Sequence, residues 1–425
     1  MTNTSQLPQG FYGLGIAPKL LDILDSHQYT IPTPIQYKSI PIAIEGKDVI
    51  GIAQTGTGKT LAFGIPIIQR LAQTKGQALI ILPTRELAIQ VEEALQKIGS
   101  RVGLKTAVLI GGASMYLQTQ AIRKGAHVLI VTPGRLIDHL EQKTLNLKEV
   151  RILVLDEADR MLDMGFAPQI KRILQSVPQD RQTMLFSATM PSEIVGIANS
   201  YMKLPVRVEI ARAGTTAELV SQELFMVSKE DKIRLLHKLL EEKKGSALVF
   251  SRTKHGAKKI SHALRGYGFS AAEIHSNRSL AQRREALDGF KTGKYRVLVA
   301  TDIAARGIDV TGIECVINFD LPDQAEDYVH RIGRTGRAGR EGHAISFATP
   351  DQGRDVRDIE RLTRMILPLS KLPTLPILPA PKYQPMDYAP RARSSSPRAP
   401  RGYGQSPRSS HAPASNFQKR RSSHR

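Results

Sequence analysis

Short β-branched, apolar runs alternate with amphipathic stretches over most of this chain, and the alternation occurs in two separate blocks. Runs apolar on both faces predict central strands of parallel sheets covered by helices on both sides, an α/β architecture. In the first block the candidate strands are 48–52, 78–82, 106–110, 127–131, 152–155 and 183–187; in the second they are 247–250, 271–275, 296–300, 315–318 and 344–348. Between the blocks the pattern lapses through the small, polar stretch ARAGTTAEL, which suits a linker over 211–220. The organisation expected is a domain over 1–210, a linker, a second domain over 221–369, and a tail from 370 to 425.

The first block carries the chemistry. The run 48–52 leads into AQTGTGKT (Ala53, Gln54, Thr55, Gly56, Thr57, Gly58, Lys59, Thr60), with a helix beginning near Lys59. Glycines let backbone N–H groups approach phosphate oxygens, and a helix start turns its positive dipole end toward them. In such a cradle Lys59 neutralises the β and γ phosphates and Thr60 holds Mg²⁺. About a hundred residues on, the run 152–155 ends in Asp156 and Glu157, which sets one carboxylate on the metal and the next beside the attacking water. The reaction implied is nucleoside triphosphate hydrolysis. The second block has no phosphate loop, so one half binds the nucleotide and the other is free to close on it.

Charge alone leaves two readings open, a polyanionic partner or a role in keeping the protein soluble. The formal charge is +21, of which residues 371–425 contribute +10, with eleven Lys or Arg against Asp387. Such a balance favours a polyanion, through phosphate contacts that release counterions. The ten prolines and low hydrophobicity of 371–425 argue for disorder. Tyr383, Tyr388, Tyr403 and Phe417 lie among the basic residues of this tail and suit stacking on bases; a solubilising role, or a surface for protein partners, is the alternative. The one cysteine, Cys315, sits in an apolar run and reads as a small buried hydrophobe. No span is long enough to cross a bilayer and MTNTSQLPQGF lacks the regions of a secretion signal, so a cytoplasmic setting without membrane contact is expected.

Late in the second block, YVHRIGRTGRAGR repeats guanidinium groups at Arg331, Arg334 and Arg337. If the halves close, Arg334 and Arg337 reach the γ-phosphate as arginine fingers supplied in cis. Taken with the motifs above, this segment resembles that of the DEAD-box ATP-dependent RNA helicases of superfamily 2, bacterial members in particular, over about residues 11–365. The resemblance implies two tandem RecA-like domains and ATP, Mg²⁺ and RNA as ligands. Phe11 and IPTPIQ ending at Gln36 resemble the Q motif, in which the glutamine reads adenine; Asp309, in ATDIAARGID, resembles a ribose contact. Arg85 in PTRELA, Gly112, Thr132 and Arg135 in TPGR, Arg252 in LVFSRTK and Thr301 resemble RNA contacts. Ser187 and Thr189 of SAT, and His330, resemble residues coupling hydrolysis to strand separation. Gln28 stands where many members carry Gly, and Leu280 where many carry Gln, with Arg283 retained. The implied activity is RNA-stimulated ATP hydrolysis with local, non-processive unwinding. An ATP-gated RNA clamp and a DNA translocase use the same residues and stay open on sequence.

Overall fold

Two parallel sheets, each coated by helices, are what the two blocks build. The computed structural model describes residues 10–54, 56–210, 220–305, 313–336 and 341–379. The first sheet comprises β1 (Val49–Ile52), β2 (Gln77–Ile81), β3 (Thr106–Leu109), β4 (Val128–Val131), β5 (Val150–Leu155), β6 (Gln182–Ser187) and β7 (Val206–Glu209), in the order β3-β4-β2-β5-β6-β1-β7. The second comprises β8 (Val220–Met226), β9 (Ala247–Phe250), β10 (Ala271–Ile274), β11 (Val297–Ala300), β12 (Cys315–Asn318) and β13 (Gly342–Ala348), in the order β10-β11-β9-β12-β13-β8. All neighbouring pairs are parallel.

Alternation along each strand divides the first lobe into two cores. Leu79, Ile81, Leu129, Val131, Leu153 and Leu155 face one helical layer, while Ala78, Ile80, Val128, Ile130, Ile152 and Val154 face the other. Burial on both faces explains why these strands read as continuous apolar runs. A third cluster joins Phe11, Leu14, Ile16 and Leu20 to Leu61 and Ile65 of the helix Lys59–Gln73. The second lobe repeats the scheme, with Phe225, Leu236, Val249, Ile317 and Phe347 in its main core. Cys315 is buried there, and desolvation pushes its thiol up to about 12.

Some boundaries differ from expectation. Edge strands β7 and β8 were not anticipated, because half-buried edges carry polar residues: β7 alternates apolar and polar, and β8 holds Ser221, Gln222 and Glu223 in a row. Residues 371–379, placed in the tail on composition, are held on the second lobe. Leu375 packs on its core, and Arg234 donates to the carbonyls of Leu375 and Pro376. The expectations for residues 380–425 lie outside the described residues. Gln28 adopts φ +61, the left-handed conformation that glycine takes without cost. No helix among the described residues is long and apolar enough to cross a membrane.

Candidate nucleotide and RNA site

Apart from Phe11 and Gln36, which precede the first strand, the motif residues described sit at or beyond the carboxyl end of a strand, or on or next to the helix that follows it, the edge where open α/β sheets collect ligands. From β1 the chain passes through Ala53 and Gln54 into a turn with Gly56 at φ +86 and Gly58 at φ +88, and the helix Lys59–Gln73 follows. Those φ values suit glycine and keep the loop free of side chains. The Lys59 side chain is buried, with Nζ donating to the Ala53 carbonyl at 3.1 Å and lying 3.9 Å from Asp156 Oδ1. Thr57 Oγ1 donates to Gln54 O at 2.8 Å, closing the turn. Thr55 lies outside the described residues.

Gln36 locks this loop from the side. Its Oε1 accepts from Thr33 N at 2.9 Å and its Nε2 donates to Gly58 O at 2.9 Å. A Cβ on Gly58 would stand 2.4 Å from that nitrogen, so only glycine admits the contact. The amide keeps one N–H and one lone pair unused by these bonds. Phe11, by contrast, is almost wholly enclosed in the N-terminal cluster.

At the end of β5, Asp156 and Glu157 are both buried. Glu157 takes φ +53, a costly conformation for a non-glycine residue that turns the chain sharply into the helix Ala158–Asp163. The two carboxyls are driven apart. Burial pushes Asp156 up to about 6, only partly opposed by the Lys59 ammonium. Burial acts the same way on Glu157, yet the charges of Arg160, Lys59 and Arg334 outweigh it and hold that carboxyl below its ordinary value. Arg160 donates to Glu157 Oε2 at 2.8 Å. A buried carboxyl raised by desolvation and lying beside the phosphate cradle gains by meeting a cation, so Asp156 and Thr60 fit a magnesium ion shared with nucleotide phosphates.

Asp159 was not singled out from sequence, and the structure makes it the join between two motifs. Its Oδ2 accepts from Ala188 N, Thr189 N and Thr189 Oγ1 at 3.0, 2.8 and 3.0 Å, while its own N–H donates to Ser187 Oγ at 3.2 Å. Burial raises it, but Lys59 and the Thr189 hydrogen bonds bring the net shift down.

The residues assigned to RNA line up along the same edge. Arg85 opens the helix Arg85–Gly99 and lies against Gly111 and Gly112; a Cβ on Gly112, at φ +77, would meet its guanidinium at 2.3 Å. Thr132 immediately precedes the helix Pro133–Glu141, from which Arg135 donates to Ala113 O and Gln118 Oε1. In the second lobe Arg252 is tied to Leu321 O and Asp323, and Thr301 follows β11. His330 and Arg334 follow one another on the last turn of the helix Ala325–Ile332 and just past it. Arg334 is buried, its Nε donating to His330 O at 3.3 Å, and its charge acts on Glu157 of the other lobe. Arg331 does not continue that row. It is turned inward, forked onto both oxygens of Asp302 at 2.6 and 2.7 Å and stacked 4.9 Å over Phe250. Asp309 and Arg337 lie outside the described residues.

The lobes also touch directly. Arg283 Nη2 meets Glu86 Oε2 at 2.8 Å in a buried pair, Arg284 meets Glu93 at 3.0 Å at the surface, and Leu280 packs on the first lobe's core.

The DEAD/DEAH box helicase family model matches residues 33–196, and the model for the helicase conserved C-terminal domain matches 231–339. An ATP-dependent rRNA helicase rrp3 of Neosartorya fischeri is 44% identical over 354 residues, covering 82% of this chain and 75% of that protein. The chain belongs to the DEAD-box ATP-dependent RNA helicases. A second relative, the DEAD-box ATP-dependent RNA helicase CshA of Geobacillus kaustophilus, is 45% identical over 80% of this chain and 73% of its own. Among solved structures, Mss116p bound to ssRNA and AMP-PNP superposes with a TM-score of 0.77 at 29% identity, covering 87% of this chain and 80% of that one. Saccharomyces cerevisiae Dbp5 bound to RNA and ADP BeF3 gives 0.76 at 30%, covering 85% and 96%. For a DEAD-box helicase, then, the two lobes and the edge between them are the expected apparatus.

Proposed function

We propose that this helicase hydrolyses ATP when RNA draws its two lobes together, and that the closed cleft distorts a short duplex until one strand leaves. The observation that carries this reading is the position of Glu157, a buried carboxylate of the first lobe held ionised chiefly by Arg160 and Lys59 of its own lobe and further by Arg334 of the second. In this reading residues 1–210 form the nucleotide domain, 221–369 the closing domain and 211–220 the link between them.

The roles follow from chemistry. Adenine offers one donor and one acceptor on its outer edge, the complement of what Gln36 has left unused, so Gln36 selects ATP; Phe11 backs that site and Asp309 meets the ribose. The N–H groups of residues 54–60 and the Lys59 ammonium receive the β and γ phosphates. Thr60 and Asp156 hold Mg²⁺, which when bound neutralises charge on the phosphoryl oxygens. Glu157, kept ionised, accepts a proton from water as that oxygen bonds the γ phosphorus and the bond to the bridging oxygen breaks, yielding ADP and phosphate. Arg334 and Arg337 offset charge in the transition state, so the rate depends on closure. Ser187 and Thr189, bound to Asp159, carry the change in that site to the RNA face, and His330 adjoins Arg334 from the other side. Arg85, Gly112, Thr132, Arg135, Arg252 and Thr301 grip sugar and phosphate, giving little sequence preference and a preference for RNA.

Unwinding is local on energetic grounds. Stacking is worth about 1.4 kcal/mol per step, so five steps cost roughly 7 kcal/mol, within reach of one closure, whereas long duplexes are not. The test measures ATP turnover with and without RNA, with Lys59→Ala as control, alongside strand displacement on duplexes of about 10 and about 40 base pairs. RNA stimulation with displacement of the short duplex alone is expected. RNA-independent turnover would overturn the reading, and stimulation without displacement would make the protein a clamp.

A further inference from the structure

The opposite edge of the first sheet holds a second feature, which the helicase reaction does not use. Where β1, β5, β6 and β7 begin, a cavity of about 750 Å³ is lined by Lys47, Arg70, Lys75, Arg151, Arg181 and Lys203. Only two carboxylates share the lining, Asp48 and Asp180. Asp48 is committed to the backbone, its two oxygens accepting from Thr183 N and Lys203 N at 2.7 Å each. Lys47 pairs at the surface with Glu45, and Lys203 Nζ lies 3.9 Å from Asp180. The strand rise of about 3.3 Å per residue puts the five residues from Asp48 to Ala53 at roughly 17 Å, so the cavity is separate from the phosphate loop.

Of the three arginines, Arg151 donates to Asp180 O at 3.4 Å, and Arg70 and Arg181 are the informative members. Neither forms an ion pair among the described residues. Arg70 donates from Nη1 to Ile44 O at 3.4 Å; Arg181 donates to Pro178 O and Tyr201 O at 2.6 and 3.2 Å. In both, the buried Nε–H has no acceptor, and desolvation lowers both guanidinium pKa values. Positive charge concentrated in a concavity, partly desolvated and in excess over the carboxylates beside it, with the Asp48 charge only partly offsetting the burial of Arg181, is the electrostatic signature of an anion site. A guanidinium fork matches phosphoryl oxygens in particular.

We propose that this cavity is a second phosphate-binding site, taking phosphoryl groups either from the backbone of structured RNA beyond the strand in the cleft or from a free polyphosphate. The RNA source rests on the function proposed above; the free-phosphate source does not.

The test uses the full chain and a variant with Lys47, Lys75, Arg151 and Lys203 all changed to Ala. These side chains are exposed, so folding is retained. A control variant loses the exposed Lys124, Lys143, Lys148 and Lys171 instead. Inorganic tripolyphosphate binding is measured by calorimetry with ADP saturating the cleft, and RNA affinity is measured across salt with a short single strand and with a long structured RNA. If RNA is the source, the pocket variant binds the long RNA about tenfold or more weakly and its salt slope falls by about 3, near 0.7 to 0.9 per phosphate released. The short strand and the control variant then behave as wild type. If free phosphate is the source, RNA affinities hold and tripolyphosphate binding disappears from the pocket variant alone. Unchanged binding of both probes, or equal losses in the control variant, overturns the site, while RNA-stimulated ATP turnover judges the proposed function independently.

Discussion

The buried pair between Arg283 and Glu86 gives a measure of how strongly the lobes hold one another. Its single contact of 2.8 Å leaves Arg283 Nε and Glu86 Oε1 buried without partners, so the pair is one charge-assisted bond rather than a fork. Removing one member of a permanently buried pair costs about 3–5 kcal/mol because a charge is stranded. In the proposed cycle the cleft opens and returns that charge to water. The loss is then limited to the bond itself, about 1.5–3 kcal/mol, equivalent to roughly 10- to 150-fold in the closure equilibrium. With closure coupled to RNA as proposed, Arg283→Gln and Glu86→Gln should each raise the RNA concentration for half-maximal ATPase by about that factor, with turnover lacking RNA unchanged. The double variant should be no worse than either single one. The surface pair supplies the control: Glu93→Gln breaks the contact with Arg284 and, as for exposed pairs in general, should cost about 0–1 kcal/mol. Additive effects of Arg283→Gln and Glu86→Gln in steady-state kinetics, or no effect of either, would refute the argument that this contact reports closure.

Three other outcomes follow from the site. Glu157→Gln should retain ATP and RNA binding while lowering turnover by about 10² to 10⁴, the usual worth of a positioned base; an unaltered rate removes Glu157 from the chemistry. Asp156 is raised to about 6, so its protonated fraction grows as pH falls through that value rather than through the ordinary carboxylate range. KM for magnesium-ATP should therefore be flat above about pH 7 and climb below about 6; a KM that stays flat to about pH 4.5 contradicts the assignment. Gly58→Ala places a Cβ 2.4 Å from Gln36 Nε2 at a φ of +88, adding about 1–2 kcal/mol of backbone strain. Loss of ATP affinity and of discrimination against GTP is expected, measured by competition, and preserved discrimination would show that Gln36 does not read the base.

How much of this was readable from residues alone follows a physical line. Central strands such as Ile152 to Leu155 are buried on both faces, so their apolar runs announce them, and the loop Ala53 to Thr60 is contiguous. Edge strand β7 alternates apolar and polar residues, and β8 holds Ser221, Gln222 and Glu223 in succession, so neither gave an apolar run over its length. Arg331 reads as one more member of the guanidinium repeat, because its partners Asp302 and Asn318 lie outside that segment. The Arg283 to Glu86 contact spans 197 residues, and no local pattern encodes it. Leu375 shows the reverse: proline-rich composition hides an apolar side chain that still finds a core.

The burial of Cys315 has a practical consequence. A thiol pushed to about 12 and enclosed in the second lobe's core is a poor nucleophile at neutral pH, and it is the chain's sole sulfhydryl. Maleimide dyes will therefore ignore the native protein, and a cysteine introduced on each lobe can carry a fluorophore without first engineering a blank background. Energy transfer between two such labels gives a direct optical record of the cleft as nucleotide and RNA come and go.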